Sequence, residues 1–431
     1  MMNKIKIGLI GYGVVGQGVV KLLEQRKSYF RSAFNTDFIL KTICDRNIHK
    51  KNTRGLRRMR LTTKIDEVLN DKDLDVTIEL IGGMDPAHKI VTQALKNGKH
   101  VITANKLLIA SEGKNLFKLA ASHNRRLYFE SAVGAGIPII KTITEGAAGN
   151  EFDGIYGIIN GTCNFILDQM TKNSCSFGKA LDEAKKRGYA ESNPTLDING
   201  MDSTHKLAIL INLAFQKFIK VSDIYTEGIT HISHDDIEHA NSLNLTIKLL
   251  AIAKKTGNEL EARVHPTLIS KDHPLAAIHG VYNAVYMDTH PLGNVILTGE
   301  GAGQMSAASG IISDLINLAS RGNDANLYCN FYKENKRLKL KKIDQIKTKF
   351  YLRFMALDKP GVLSVITGIL GKYGISINSV TQKAHNRSFS VPVIMLTDYA
   401  TEKKLRLALD KIYKLPIIKS RPVAIRMEKL E

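Results

Sequence analysis

Apolar residues open the chain as a run, Lys4-Ile-Lys-Ile-Gly-Leu-Ile10, with the length and β-branched content of a buried strand. Gly11-Tyr12-Gly13-Val14-Val15-Gly16 follows, and then apolar positions at Val19, Val20, Leu22 and Leu23 at helical spacing. The alternation continues downstream. Apolar runs predict strands over 38–44, 76–81, 100–103 and 126–130, and helical patterns occupy 64–69, 86–97 and 106–121. Strands alternating with helices predict a parallel sheet joined by right-handed crossovers.

From residue 131 the pattern changes. Gly134-Ala-Gly-Ile-Pro138 is a turn, with helices expected over 139–149, 164–172, 177–187 and 201–217. Strands are expected over 152–160, 262–269, 281–287 and 293–297, which makes 131–300 an α+β domain. Thr298-Gly-Glu-Gly-Ala-Gly303 is a glycine turn opening a helix over 306–319. Such a late strand–turn–helix returns the chain to the first domain, 1–130, and completes it over about 300–330. A basic stretch over 331–349 is expected to be a solvated linker. The tail, 350–431, has strands over 350–357, 375–382, 388–397 and 423–427 and helices over 362–372 and 402–412. This βαββαβ order is ferredoxin-like.

A chain of 431 residues, 44% apolar and 24% charged, has enough apolar material for several cores. No apolar run approaches the roughly 18 residues of a membrane span, and Met1-Met2-Asn3-Lys4 leads straight into a strand without a signal-peptide core. Cys44, Cys163, Cys175 and Cys329 lack paired metal spacing and read as thiols in a reducing cytoplasm. The 61 Lys and Arg outnumber 41 Asp and Glu for a net +20. No basic, aromatic-interleaved motif accompanies that excess, so it reads as surface bias with some attraction for an anionic cofactor rather than as nucleic-acid binding.

Gly11-x-Gly13-x-x-Gly16 sits between a strand and a helix, where glycines allow a tight turn and close approach of backbone to a pyrophosphate. Free N–H groups at the helix start then face the phosphates. Cofactor identity stays open between NAD and NADP, with a lean to NADP. Asp45 ends the second strand, where a carboxylate suits a ribose 2′-hydroxyl, but Arg46, Arg54, Arg57, Arg58 and Arg60 suit a 2′-phosphate. Thr103-Ala-Asn-Lys106 lies at the C-terminal end of a strand, where open α/β sheets bind ligands; a solvent lysine at a helix start is the plainer reading. Glu191 to Lys206 gathers Glu191, Asp197, Asp202 and Lys206. Asp202 and Lys206 are four apart and share a helix face ahead of an apolar run, so Lys206 belongs near the core boundary as a tunable proton donor. A capping role for Asp202 and a surface role for Lys206 are the alternatives. Asn160-Gly-Thr-Cys-Asn164 either lines a site or only turns and caps. His231, His234 and His239 fit no standard metal-ligand spacing.

With these motifs the chain resembles bacterial homoserine dehydrogenases carrying a C-terminal ACT domain, over essentially its whole length. The resemblance rests on Gly11–Gly16, Ile78-Glu-Leu-Ile-Gly-Gly83, Gly98–Lys106, Glu130–Pro138, Asn160–Asn164, Gly188–Lys206 and Gly299–Gly303, with Asp358–Leu363 and Gly374–Ile377 for the tail. It implies a Rossmann-like nucleotide-binding domain, an α+β catalytic and dimerisation domain and a regulatory ACT domain. The implied reaction is the reversible NAD(P)-dependent interconversion of L-homoserine and L-aspartate 4-semialdehyde, within threonine, methionine and isoleucine biosynthesis. By the same resemblance Lys206 is the acid–base group, Lys106 assists at substrate and nicotinamide, and Glu191, Asp197 and Asp202 bind substrate. Gly11, Gly13, Val14, Val15, Gly16, Asp45, Arg46, Gly83, Thr103, Lys106 and Gly303 meet the cofactor. Glu130 with the carbonyls of Val133, Ala135 and Ile137 matches a sodium site. A homodimer or homotetramer and a threonine effector at the ACT domain are also implied. The chain departs from the family at Asn193, usually aspartate; at Glu300 and Met305-Ser306, where proline and Pro-Thr are common; and at Cys44, where NADP-preferring members often carry a basic residue. A competing reading is an amino-acid-sensing ACT protein with an inactive Rossmann domain.

Overall fold

The protein is described by a computed structural model over residues 2–320, 333–382 and 390–430. Cys329 and the first two residues of the strand expected over 388–397 lie outside the described residues. The chain forms two compact units: Met1–Gly161 with Asp202–Ile224 and Tyr282–Leu338, and Thr162–Met201 with Tyr225–Val281 and Lys339–Glu431. The segment 131–300 is thus divided between them.

The first unit holds a parallel sheet of β1 (Asn3–Ile10), β2 (Thr36–Cys44), β3 (Arg60–Thr62), β4 (Val76–Glu79), β5 (His100–Thr103) and β6 (Leu127–Tyr128). Its order is β3-β2-β1-β4-β5-β6, so the strand order reverses next to β1. Helices α1 (Val14–Gln25), α2 (Lys27–Phe34), α3 (Asp66–Leu69), α4 (Asp85–Lys96) and α5 (Lys106–Ser122) make the crossovers. The carboxyl half of β1 is covered on both faces, so Ile7, Gly8, Leu9 and Ile10 are all buried, with Ile7 and Leu9 fully so, while Lys4 and Lys6 at its start reach towards solvent. The late helix α12 (Gln304–Ser320) does return to this sheet: Ala308, Ile311, Leu315 and Leu318 join Val19, Val20 and Leu23 in one core. Gly18 permits the close packing, because a Cβ there would sit 2.8 Å from the Gln304 carbonyl. Within the same unit β7 (Glu151–Ile158), β11 (Tyr282–His290) and β12 (Gly293–Glu300) form an antiparallel ladder. The helix expected over 139–149 is shorter: α6 (Ile139–Lys141) runs into a wider π-type turn over Thr142–Gly146. The turn expected to begin at Thr298 begins later, since β12 extends to Glu300.

In the second unit lie α7 (Gly161–Asn173, all but its first residue), α8 (Phe177–Lys186), α9 (Thr195–Ile198) and α11 (His234–Ser242). Helix α10 (Met201–Phe215) begins there and continues as part of the first unit. A long hairpin pairs β9 (Leu245–Thr256) with β10 (Glu259–Ser270), and β8 (Tyr225–Thr226) adds to β10. Strand β9 escaped the sequence reading because its short apolar run, Leu249–Ala253, does not distinguish strand from buried helix. The tail folds as β14 (Lys347–Leu357), α13 (Val362–Lys372), β15 (Ile377–Gln382), β16 (Ser390–Thr397), α14 (Glu402–Tyr413) and β18 (Val423–Met427) around Phe350, Phe354, Ile366 and Leu405, with β17 (Ala400–Thr401) beside β14. Strand β18 pairs antiparallel with β14 and parallel with β10, so the ferredoxin-like sheet runs on into the hairpin. Buried Arg426 holds Glu402, Glu227 and the Tyr225 hydroxyl at this seam. The segment expected to be a linker contributes β13 (Lys339–Leu340), which pairs with β10. Among the described residues no helix is long and apolar enough to cross a membrane.

His100 opens β5 with its Nδ1 accepting the Arg126 backbone N–H at 3.1 Å, a role open only to the unprotonated nitrogen. Burial, with Arg125 and Arg126 nearby, lowers its pKa to about 4. A folded-state pKa below the unfolded one means the unfolded chain binds the extra proton, so stability falls as pH drops from about 6.5 towards 4. Denaturant titrations at pH 7 and 4.5 are expected to show a smaller loss for His100→Gln than for wild type; equal losses would refute the assignment.

Candidate active site

The nucleotide end of the first unit is shaped by glycine. Gly11 has φ of 102°, and a Cβ on Gly16 would sit 2.2 Å from the Gly11 carbonyl oxygen, so this turn excludes side chains at both positions. Gly13 faces open space ahead of α1, whose first residues are Val14 and Val15. A cavity of about 650 Å³ lies here, lined by Gly11, Gly13, Asp45, Arg46, Lys51 and Gly83 among others. It sits outside the carboxyl ends of β1, β2 and β4, where the strand order reverses.

Asp45 is already engaged at this rim. Its carboxylate accepts the Tyr12 N–H at 2.8 Å, the Asn47 N–H at 2.8 Å and the Lys51 ammonium at 2.6 Å. Burial pushes its pKa up, but Lys51 and the two backbone donors outweigh burial and hold it below the usual carboxylate value. Sequence reasoning missed Lys51, which looks like one more basic residue among many until the chain after β2 folds back. Cys44 lines the same cavity with its thiol pushed to about 11 by burial and by Asp45.

A buried ion cluster forms at the ends of β5 and β7 and the start of α10. Lys206 Nζ donates to Asp202 Oδ2 at 2.7 Å and to the Ile159 carbonyl at 2.7 Å. Lys106, the first residue of α5, places its ammonium 2.5 Å from the other Asp202 oxygen. The Asn160 carboxamide donates to Asp202 at 2.9 Å. Asp202 and Lys206 are 6% and 8% exposed, whereas the Lys106 side chain is 41% exposed. Burial raises the Asp202 pKa, but the two ammonium groups together override it and keep the carboxylate ionised. Two cations share one buried anion, which leaves local positive charge at the cluster. Asp202 is therefore no helix cap; Asn199 serves the first N–H of α10.

Glu191 and Asp197 belong to the second unit. Glu191 is exposed; Asp197 is half-buried on the short helix α9, its carbonyl accepting from the Cys163 thiol. Just ahead of α9, Asn193 accepts the Thr195 N–H and hydroxyl with its side-chain oxygen, a task that needs one acceptor and no charge.

Glu130 is 2% exposed and accepts the N–H groups of Ile140 and Lys141. Burial and then Asp314 push its pKa to about 8. After Val133 the chain turns through left-handed Gly134 and Ala135 (φ 72° and 53°) to Ile137. Ser306 ties this turn to the one before α12: its hydroxyl accepts the Gly136 N–H and donates to the Glu300 carbonyl. Gly303 precedes α12 with φ of 127°. Among the described residues no group of three or more His, Cys, Asp or Glu is placed to hold a metal ion, and His231 and His234 pair with Glu227 and Glu238.

Comparison with known proteins gives this geometry its context. The family model described as homoserine dehydrogenase matches residues 138–316, its NAD-binding domain matches 11–130, and an ACT domain matches 350–412. The homoserine dehydrogenase of Synechocystis is 37% identical over 98% of this chain and 99% of its own. That of Bacillus subtilis is 33% identical over 99% of each. A solved homoserine dehydrogenase from Thiobacillus denitrificans superimposes with a TM-score of 0.93 at 36% identity over 99% of each chain. A hyperthermophilic archaeal one in complex with NADPH reaches 0.61 at 26% identity, over 73% of this chain and 97% of its own. The chain belongs to the homoserine dehydrogenase family: it is an oxidoreductase with a nucleotide-binding domain, a catalytic domain and an ACT domain.

Proposed function

We propose that Lys206 is the acid–base group for the family's reaction, the reversible NAD(P)-dependent interconversion of L-homoserine and L-aspartate 4-semialdehyde. The observation that carries this is the buried Lys206 ammonium on Asp202, with Lys106 on the other carboxylate oxygen. The bound dinucleotide supplies the hydride. Lys206 Nζ gives its proton to the aldehyde oxygen as negative charge builds there, and takes it back in the reverse direction. Asp202 holds both lysine side chains in place through its two carboxylate oxygens, and the more exposed Lys106 meets substrate. By the same family reading Glu191 holds the substrate's amino group and Asp197 binds substrate. Lys206→Met is expected to abolish turnover with cofactor affinity nearly unchanged, as read by cofactor fluorescence titration. Weak cofactor binding in that variant would indicate a structural lysine instead.

NADPH is the favoured cofactor. Asp45 is neutralised locally by Lys51, and Arg46 stands beside them on the cavity wall, so the rim suits a 2′-phosphate better than a bare hydroxyl. Gly11, Gly13, Val14, Val15 and Gly16 would hold the pyrophosphate, with Gly83, Thr103 and Gly303 towards the nicotinamide. Lys51→Ala is expected to lower kcat/KM for NADPH about tenfold or more, the worth of one charge-assisted contact, and to leave NADH unchanged or improved. An unchanged ratio of the two rates at 340 nm would remove Lys51 from cofactor choice.

A monovalent cation, sodium, fits the turn after Glu130. The left-handed backbone at Ala135 is strained for a residue with a side chain, and the buried acid would be stabilised in its charged form by a cation. Glu130 with the carbonyls of Val133, Ala135 and Ile137 would hold it, as hard oxygen ligands do.

Threonine is the proposed effector of the ACT domain, and a homodimer or homotetramer in the cytoplasm the working form. No disulfide joins Cys44, Cys163 or Cys175, which suits that compartment. Threonine is expected to inhibit the intact chain, and a chain ending at Lys342 to turn over without that inhibition. Its activity without threonine is the control, because the deletion also strips β18 from β10. Inhibition that survives the deletion would sink the assignment.

A further inference from the structure

Glu79 is the last residue of β4, fully buried, and pairs in the sheet with Thr103 at the end of β5. A carboxylate in such a place is costly unless hydrogen bonds replace its water. Its Oε1 accepts the Ile81 N–H at 2.8 Å and the Gly82 N–H at 3.3 Å; its Oε2 accepts the Thr103 hydroxyl at 2.6 Å. The Thr103 oxygen in turn accepts the Asn105 N–H at 3.0 Å. Asn105 donates from its carboxamide to the Gly83 carbonyl at 2.6 Å and caps α5 by accepting the Leu108 N–H at 3.1 Å. These bonds close a ring from Glu79 through Gly82 and Gly83 to Asn105, Thr103 and back.

One side of the ring is the wall of the nucleotide cavity. Gly82 and Gly83 are both left-handed, at φ of 68° and 75°, and nothing lies within 4 Å of where their Cβ atoms would be. No neighbour therefore stands where a side chain on either glycine would pack. What the structure provides instead is the Glu79 carboxylate on Ile81 and Gly82 and the Asn105 carboxamide on Gly83. The other side of the ring is the start of α5, which carries Lys106 to Asp202.

We propose that Glu79 is a positioning residue that locks the cofactor-facing Gly82–Gly83 turn to the Thr103–Lys106 segment, so that cofactor and the Lys106 ammonium keep one register. This rests on the active-site reading above. Glu79→Gln keeps the shape and an acceptor for Ile81 and Gly82 but turns an amide NH₂ towards Thr103, whose hydroxyl proton then has no acceptor in the ring. The expected result is a fall in kcat and a rise in cofactor KM, each on the order of tenfold or more, as misplacement of reacting groups produces. A purely structural carboxylate would lower the melting temperature and the folded yield while leaving kcat and cofactor KM of the folded enzyme at wild-type values, and that outcome overturns the proposal. Thr103→Val cuts the ring at its other member and is the second test, decisive if Glu79→Gln does not fold. It should shift kcat and cofactor KM in the same way, and the double variant should be no worse than the more impaired single one. Wild-type constants in Thr103→Val, or full additivity in the double variant, would also overturn it. Failure of the active-site reading is separate: it would show as turnover in Lys206→Met.

Discussion

Everything at the reacting end of the first unit depends on one buried anion with two cations. Asp202 has left water almost completely, and removing a carboxylate from water costs several kcal/mol unless partners replace it. Lys206, Lys106 and Asn160 are those partners, and they come from α10, the start of α5 and the end of β7. The ion cluster is therefore also a clamp on three elements, because each contact it loses leaves the buried Asp202 carboxylate less well satisfied. The same arithmetic sets its charge. One anion cannot neutralise two ammonium groups, so the cluster carries surplus positive charge.

The cofactor end is governed by backbone rather than by charge alone. Gly11 and Gly16 lie where a side chain would strike the turn itself, so their need is steric. Gly82 and Gly83 lie in the open and are needed for their left-handed backbone, which the buried Glu79 and Asn105 hold in place. At the rim Asp45 is tied to Tyr12, Asn47 and Lys51, so a carboxylate that appears free for a ribose in the sequence already supports the loop it ends.

The second unit makes a related use of burial. Arg426 is 6% exposed and is held by two carboxylates and a phenol, on a strand that pairs with β14 on one side and β10 on the other. Arg353 similarly grips Asp236 of α11 through two nitrogens, at 2.7 and 3.0 Å. The ferredoxin-like tail is thus joined to the β9–β10 hairpin by backbone pairing and by buried ion pairs, rather than hung from a solvated linker.

Local order along the chain was enough to read the parallel sheet, the glycine turn, the return of α12 and the shared face of Asp202 and Lys206. Each follows from a short-range rule of period, turn chemistry or i,i+4 spacing. It was not enough for β9, whose apolar run suits either a strand or a buried helix until a partner strand is present. Nor did it reveal Lys51 against Asp45, Lys106 on the second Asp202 oxygen, the Glu79–Thr103–Asn105 ring or the parallel pairing of β18 with β10. The family resemblance pointed to Lys106 and Asp202 separately, but not to the bond between them. Short-range pattern was sufficient for most of the elements and for the residues that carry charge or conformational freedom. Which of those charges meet is a property of the folded chain, because it depends on which strand ends the fold brings side by side and on how little water remains between them.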